Sequence, residues 1–243
     1  MRSPVLLAGT TLLVIGGSSG IGLETARRAR EEGAAVIITA RDPEEVHRAG
    51  LELQASIAAF DATDFQRLGR FFEGLPGPVD HVLVTGPGRH EGSSAKYDVE
   101  GARREVDAHL LLPLQVAREA ATRVRPAGTL IFTGCIDGVG SPGGPPFLSA
   151  ITAALSVITK SLADELAPIR VNLVATGFVD TPRPAAVLVD GLEGRRQELG
   201  VSLRRAICPA DVAALAIHLM TNTAVTGATF HIDGGQRLVE MHP

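Results

Sequence analysis

The stretch Val14-Ile15-Gly16-Gly17-Ser18-Ser19-Gly20-Ile21-Gly22 constrains the fold more than any other part of the chain. An apolar run leads into it, a helical pattern leads out, and its glycines stand at the join. Glycine permits a tight turn and lets the backbone approach a ligand closely. The start of the following helix then presents free N–H groups and a positive dipole end to a phosphate. In this strand–turn–helix setting the motif reads as a dinucleotide-binding turn, with Gly16, Ser18, Ser19, Gly20, Ile21 and Gly22 around the pyrophosphate. The bland alternative is a glycine-rich turn that binds nothing.

The same alternation runs through the chain. Thr11–Ile15, Ala35–Ala40, Ser56–Phe60, His81–Thr85, Thr129–Thr133, Arg170–Ala175 and Thr229–Ile232 read as short buried strands. Ile21–Glu32, Asp64–Glu73, Glu100–Val124, Pro146–Glu165 and Pro209–Met220 read as helices. Strands alternating with helices imply right-handed crossovers and a parallel sheet covered on both faces. The expected architecture is α/β, a doubly wound parallel sheet (a Rossmann fold) of about seven strands, with its ligand at the carboxyl ends near the switch in strand order. Residues 1–243 are expected to form a single domain, because Gly138–Pro146 is too short for a linker. Arg183–Arg205 fits no element and is expected to shape a substrate pocket.

Composition narrows the partners. With 45% hydrophobic and 21% charged residues the chain is an ordinary soluble one. A net charge of −4 gives no basic footprint, so nucleic acid is not an expected partner. Cys135 and Cys208 are too few for a disulfide framework, which fits a cytoplasmic protein. No apolar run approaches the ~20 residues of a membrane helix. Val5–Gly17, behind Arg2, could pass for a signal-peptide core, but it lacks a cleavage site and runs into the glycine turn as a buried strand does.

The end of the second strand bears on cofactor choice. A carboxylate there would accept from a ribose 2′-hydroxyl and favour NAD(H). The tip is instead Ala40-Arg41, and a guanidinium pairs with a 2′-phosphate, so NADP(H) is favoured. Asp42 and Glu44 are either solvated charges or a counterweight to that preference. Asp61, after the third strand, either accepts from an adenine amino group or caps the helix beginning near Asp64.

These segments, in this order, resemble the short-chain dehydrogenase/reductase family over essentially the whole chain. Leu83-Val84-Thr85-Gly86-Pro87-Gly88 is similar to a divergent form of the family's Asn-Asn-Ala-Gly segment, which adds Gly86 to the cofactor residues. Ala167-Pro168-Ile169-Arg170-Val171-Asn172 is close to the family's form. Thr176–Thr181 corresponds to the loop beside the nicotinamide, which implicates Gly177, Val179 and Thr181. Thr226-Gly227 and Asp233-Gly234-Gly235 match the C-terminal strand motif. The resemblance also implies a homodimer or homotetramer through the helices Glu100–Val124 and Pro146–Glu165.

At the reaction end the resemblance implies a tyrosine acid, a lysine one turn later, a serine, and an asparagine holding a relay water. Carried over position by position, these fall on Leu148, Thr152, Cys135 and Asp107, so all four are changed. Leu148 has no proton to give, Thr152 has no charge, and Cys135 is a weak donor. Losing general acid catalysis costs ~10²–10⁴ in rate, and an oxyanion donor about 3–4 kcal/mol more. Lys160 lies roughly 12 Å beyond Thr152 along the helix, too far to replace the lysine. Tyr97 reads as a surface residue or as part of a segment covering the cleft.

Cys135, Asp107 and His109 are the candidate replacements, with His90 at the rim. Each histidine is either a proton carrier near neutral pH or a structural residue, and Cys135 either a donor or a small packing residue. No metal site is expected. Three readings stand: an NADP(H)-dependent oxidoreductase of atypical mechanism on a small carbonyl or alcohol; a cofactor-binding protein without catalysis; or a non-redox enzyme using the same cleft.

Overall fold

The computed structural model describes residues 6–86, 98–135, 146–177, 179–180, 205 and 207–235, with the side chains of Pro146, Leu148 and Ser149 outside that description. In chain order these form β1 (Thr11–Ile15), α1 (Gly20–Glu31), β2 (Ala35–Ala40), α2 (Pro43–Leu53), β3 (Ser56–Ala59), α3 (Phe65–Glu73) and β4 (Val79–Val84). There follow α4 (Val99–Val106), a π turn (Asp107–Leu111), α5 (Leu112–Arg123), β5 (Val124–Cys135), α6 (Pro146–Glu165), β6 (Arg170–Thr176), α7 (Pro209–Thr221) and β7 (Thr229–Ile232).

Every strand pair is parallel and the order is β3-β2-β1-β4-β5-β6-β7. The chain winds outward from β1 to β3, then crosses back to lay β4 on the other side of β1. The switch in strand order therefore falls between β1 and β4, where such a sheet opens a crevice at its carboxyl ends.

Alternation along the strands feeds two cores. Leu13, Ile15, Val82, Val84, Leu130 and Phe132 face α3, α5 and α6 through Phe72, Val116 and Leu155. Leu12, Val14, Val36, Ile38, Leu83 and Ile131 face α1, α2 and α7 through Ala29, Val46 and Ala216. Successive side chains point to opposite faces, so strands covered on both sides must be apolar throughout. Within the apolar run behind Arg2, Thr11–Ile15 is thus an interior strand of the sheet, paired on both sides.

The structure corrects several boundaries. Glu100–Val124 is not one helix. Leu112 N–H bonds back to Asp107 O five residues earlier, and Pro113 follows in the first turn of α5. Proline has no N–H to give to residue i−4, and a π turn absorbs the break. Val124 already belongs to β5, pairing with Val79 before a register irregularity that precedes His81 and Thr129. The helix α2 escaped the sequence pattern because Gly50 reads as a breaker. Here that glycine is a contact point, since a Cβ on it would come within 2.3 Å of Ile57 Cγ2.

The segment Arg170-Val171-Asn172 is a clamp. The Arg170 guanidinium donates to the carbonyls of Leu219 (2.6 Å), Met220 (3.0 Å), Asn222 (2.9 Å) and Val225 (3.4 Å). These include the final-turn carbonyls of α7, which have no partner within the helix. Asn172 accepts from Ala228 N–H and donates to Val225 O, fixing the entry into β7.

Candidate functional site

The glycine turn lies at the strand switch and is tied to β4. Thr85 N–H donates to Ile15 O at 2.9 Å, and the Thr85 hydroxyl donates to Ile15 O and Gly16 O at 3.1 and 3.0 Å. Gly16 has φ +90°, and a Cβ on it would lie 2.2 Å from Thr85 Oγ1. A Cβ on Gly22 would lie 2.1 Å from Gly16 O. A side chain at either position would force its neighbour to shift. The helix α1 therefore starts hard against the strand end, with Gly20 as its first residue and Ile21 next.

How the helices are capped separates this one from its neighbours. Asp42 caps α2, Asp64 caps α3 and Asp98 caps α4, each accepting backbone N–H bonds. At α1 the N-cap is Ser19, whose side chain makes no cap bond, and the first turn contains no acidic residue. Among the described residues, the first-turn amides and the positive end of the helix dipole thus have no side-chain cap or first-turn carboxylate to accept from them. This donor set fits a dinucleotide pyrophosphate. The Ser18 hydroxyl bonds Glu45 at 3.3 Å across the turn.

The adenosine side is built from the ends of β2 and β3. Arg41 is exposed and makes no ion pair among the described residues. Asp42 is committed to α2, accepting from Glu44 N–H at 2.8 Å and Glu45 N–H at 3.1 Å. Asp61 does not cap α3. Its Oδ1 closes a turn on Thr63, accepting from the N–H at 2.9 Å and the hydroxyl at 2.8 Å, while Asp64 takes the cap. Beside it Arg67 lies over the Phe60 ring and donates to Ala59 O at 2.7 Å, a neighbour the sequence reading missed.

At the reaction end, Cys135 is the last residue of β5, half-buried, paired in register with Thr176 and in no disulfide. Helix α6 packs over this strand end, since a Cβ on Gly134 would meet Leu155 Cδ2 at 3.6 Å and Thr152 Cγ2 at 4.0 Å. Leu148 lies one turn before Thr152 on the same helix. Gly177 N–H donates to Ile232 O at 2.8 Å, and Val179 bridges to Ile207. Thr181, His90, Tyr97 and nearly all of 183–205 lie outside the described residues.

Asp107 and His109 both fall in the π turn. The His109 Nε2 stands 3.1 Å from the Glu105 carboxylate, with the two side chains only 16% and 8% exposed. The adjoining edge of the ring, Nδ1 and Cε1, lies 3.0 Å from where a Cβ on Gly86 would be. The ring thus fills the space left by that glycine at the exit of β4, and Gly86 itself is held by its N–H bond to Thr133 Oγ1. Burial pushes the His109 pKa down while Glu105 pulls it up, and the net direction is down. Glu105 was not among the residues the sequence pointed to. Its four-residue spacing from His109 was visible there, but its burial was not. Among the described residues, no group of three or more His, Cys, Asp or Glu could hold a metal ion, and no helix is long and apolar enough to cross a membrane.

Comparisons with known proteins agree with this layout. The family model described as enoyl-(acyl carrier protein) reductase matches residues 15–237. The short-chain dehydrogenase/reductase ATR9 of Stachybotrys chlorohalonatus is 29% identical, over 94% of this chain and 97% of its own. The 3-oxoacyl-[acyl-carrier-protein] reductase MabA of Mycobacterium tuberculosis is 28% identical, over 93% of this chain and 92% of its own. Among solved structures, BdcA in complex with NADPH superposes with a TM-score of 0.84 at 26% identity, covering 94% of this chain and 95% of that one. A short-chain dehydrogenase from Burkholderia cenocepacia in complex with NADP gives 0.86 at 25% identity, covering 95% and 99%.

Proposed function

This chain belongs to the short-chain dehydrogenase/reductase family of oxidoreductases, and from that membership we propose that it binds NADP(H) in preference to NAD(H) and acts, by an atypical mechanism, on a small carbonyl or alcohol substrate. The observation that carries the reading is the uncapped N-terminus of α1 at the glycine turn, with Arg41 exposed beside it. Gly16 to Gly22 would hold the pyrophosphate, Arg41 the 2′-phosphate and Asp61 the adenine, while Gly86, Gly177, Val179 and Thr181 would line the nicotinamide end. The complexes of BdcA with NADPH and of the Burkholderia enzyme with NADP support the same choice.

When bound, the reduced nicotinamide supplies a hydride. The chain must orient the substrate and supply a proton to its oxygen. Leu148 and Thr152 have neither proton nor charge for that task, so it falls to Cys135, Asp107 and His109 at the ends of β5 and α4. Titration with NADPH and NADH, then a turnover screen over ketones, quinones and enones, tests the proposal. Turnover lost in a Gly16→Asp variant is the expected result. Tight NADPH binding without turnover over the whole panel would favour the second reading, a cofactor-binding protein without redox catalysis, which the Leu148 and Thr152 positions motivate.

The assembly proposed is a homodimer or homotetramer through α4–α5 and α6. These helices leave Leu111 38%, Leu114 36% and Val157 67% exposed in the single chain, apolar surface that a second copy would cover. A monomer by light scattering would contradict it.

A further inference from the structure

We propose that Glu105 is a positioning residue for His109, and that the two form a proton-carrying pair in the floor of the cleft. The inference rests on the reading of the chain as an NADP(H)-dependent oxidoreductase and names the group that moves the proton.

The geometry has three parts. Glu105 and His109 are one helical turn apart, and the π turn between Asp107 and Leu111 sets the height at which the ring is presented. Single π turns inside helices often mark functional sites. Both side chains are nearly buried, and a carboxylate so placed is costly unless an opposite charge can face it, as the His109 ring does when protonated. Finally, the ring is directional. Glu105 Oε2 stands 3.1 Å from Nε2, an ion-pair contact that favours a proton on that nitrogen and leaves Nδ1 to gain or lose the proton, on the edge that meets Gly86. A partner at one imidazole nitrogen fixes the tautomer and orientation of the other. This is what a relay needs and what a histidine that merely packs does not.

The surrounding charges are few. Helix α6, which packs on the π turn, carries no charged side chain before Lys160. The ends of β4 and β5 bring Gly86, Thr133 and Cys135, while Arg103 and Arg104 are exposed on α4. Asp107 shares the turn. Among the described residues, Glu105 is the group that acts electrostatically on His109, and it opposes the effect of burial.

The step balances as follows. In reduction the substrate carbon gains a hydride from the reduced nicotinamide dinucleotide, which is oxidised, and the C=O π pair moves onto oxygen. The oxygen takes the Nδ1 proton of protonated His109, directly or through one water, and solvent returns a proton to the neutral ring. In alcohol oxidation neutral Nδ1 is the base. Burial outweighs Glu105 and holds the ring's pKa below its ordinary value, which favours the neutral form that serves as the base.

The test uses the full chain with NADP⁺, labelled at histidine and glycine and followed by NMR, with His109→Gln assigning its signal among the seven histidines. Three results are expected. The His109 signal shifts on NADP⁺ addition along with the glycine-turn amides. Its titration moves to lower pH by about one unit or more in Glu105→Gln, because a neighbouring opposite charge is worth about that much. The acid limb of alcohol oxidation moves the same way, while His109→Gln lowers kcat ~10²-fold or more. A merely structural Glu105 would change stability but move neither titration nor limb. If the glycine amides respond to NADP⁺ and His109 does not, or if Glu105→Gln leaves its titration unchanged, the pair proposal is overturned and the cofactor reading stands. If neither responds, the cofactor reading itself falls.

Discussion

The nucleotide end and the reaction end of this crevice are built by different means. Around β1 and α1 the binding groups are backbone amides, and their placement is enforced by sterics: a Cβ on Gly16 or Gly22 would lie within about 2.2 Å of a neighbouring oxygen. Around the ends of β4, β5 and α6 the acting groups must be side chains, and those we propose are Cys135, Asp107, His109 and buried Glu105. Backbone sites tolerate drift everywhere except at their glycines. A side-chain site can be replaced piece by piece while the scaffold survives, and the proposed reading, a cofactor crevice beside an altered reaction centre, needs only that.

The largest effect that would sharpen this contrast is at Gly16. Changing it to Asp adds a Cβ clash, a side chain at φ +90° and a negative charge where the pyrophosphate is to lie. Binding of NADPH should weaken at least ~100-fold, or about 3 kcal/mol. The chain should stay folded by circular dichroism, and normal binding would break the backbone-site account.

Next come two changes that should affect the fold and spare the crevice. Arg170→Met leaves the carbonyls at the end of α7 without their donor, a loss of about 3 kcal/mol, and the melting temperature should drop by roughly 6–12 °C. The cofactor affinity of the folded protein should not change. His81, 6% exposed in β4, has a pKa lowered to about 4 by burial, with Arg170 adding to it and Asp80 opposing. The unfolded chain binds this proton near pH 6.5 and the native one only near 4, so stability is full above pH 6.5 and lost as pH falls toward 4. The loss is about 3 kcal/mol by denaturant unfolding. His81→Leu should flatten that slope, and an unchanged slope would assign the acid sensitivity to other groups.

Arg41→Ala should cost NADPH about 1–2 kcal/mol, roughly five- to thirtyfold, and leave NADH nearly unaffected. Equal losses for both would remove Arg41 from the 2′-phosphate. The smallest change is Asp42→Ala, which removes the α2 cap at about 1 kcal/mol of stability. If it also strengthened NADPH binding, Asp42 would count against the phosphate after all.

The same contrast explains what the sequence could tell. Apolar alternation and the glycine spacing carried the parallel sheet, its seven strands and the crevice, because each is a local pattern with a steric cause. The break at Asp107–Leu111 was not legible, since Pro113 permits several local solutions and packing chooses one. Helix α2 was hidden by Gly50, whose role depends on Ile57 across the layer. Asp61 and Asp64, three residues apart, could not be told apart until the turn on Thr63 was seen. Glu105 looked like one more surface charge on a helix. Its proposed role comes from its burial and its contact with His109, and no local pattern reports burial.

The central claim is that the uncapped start of α1, with Arg41 beside it, forms an NADP(H) site. Calorimetric titration of the wild-type chain with NADPH and with NADH tests it most directly. Saturable one-to-one binding, tighter for NADPH by about tenfold or more, is predicted from a charge-paired 2′-phosphate. Equal affinities, a preference for NADH, or no binding of either would contradict the account.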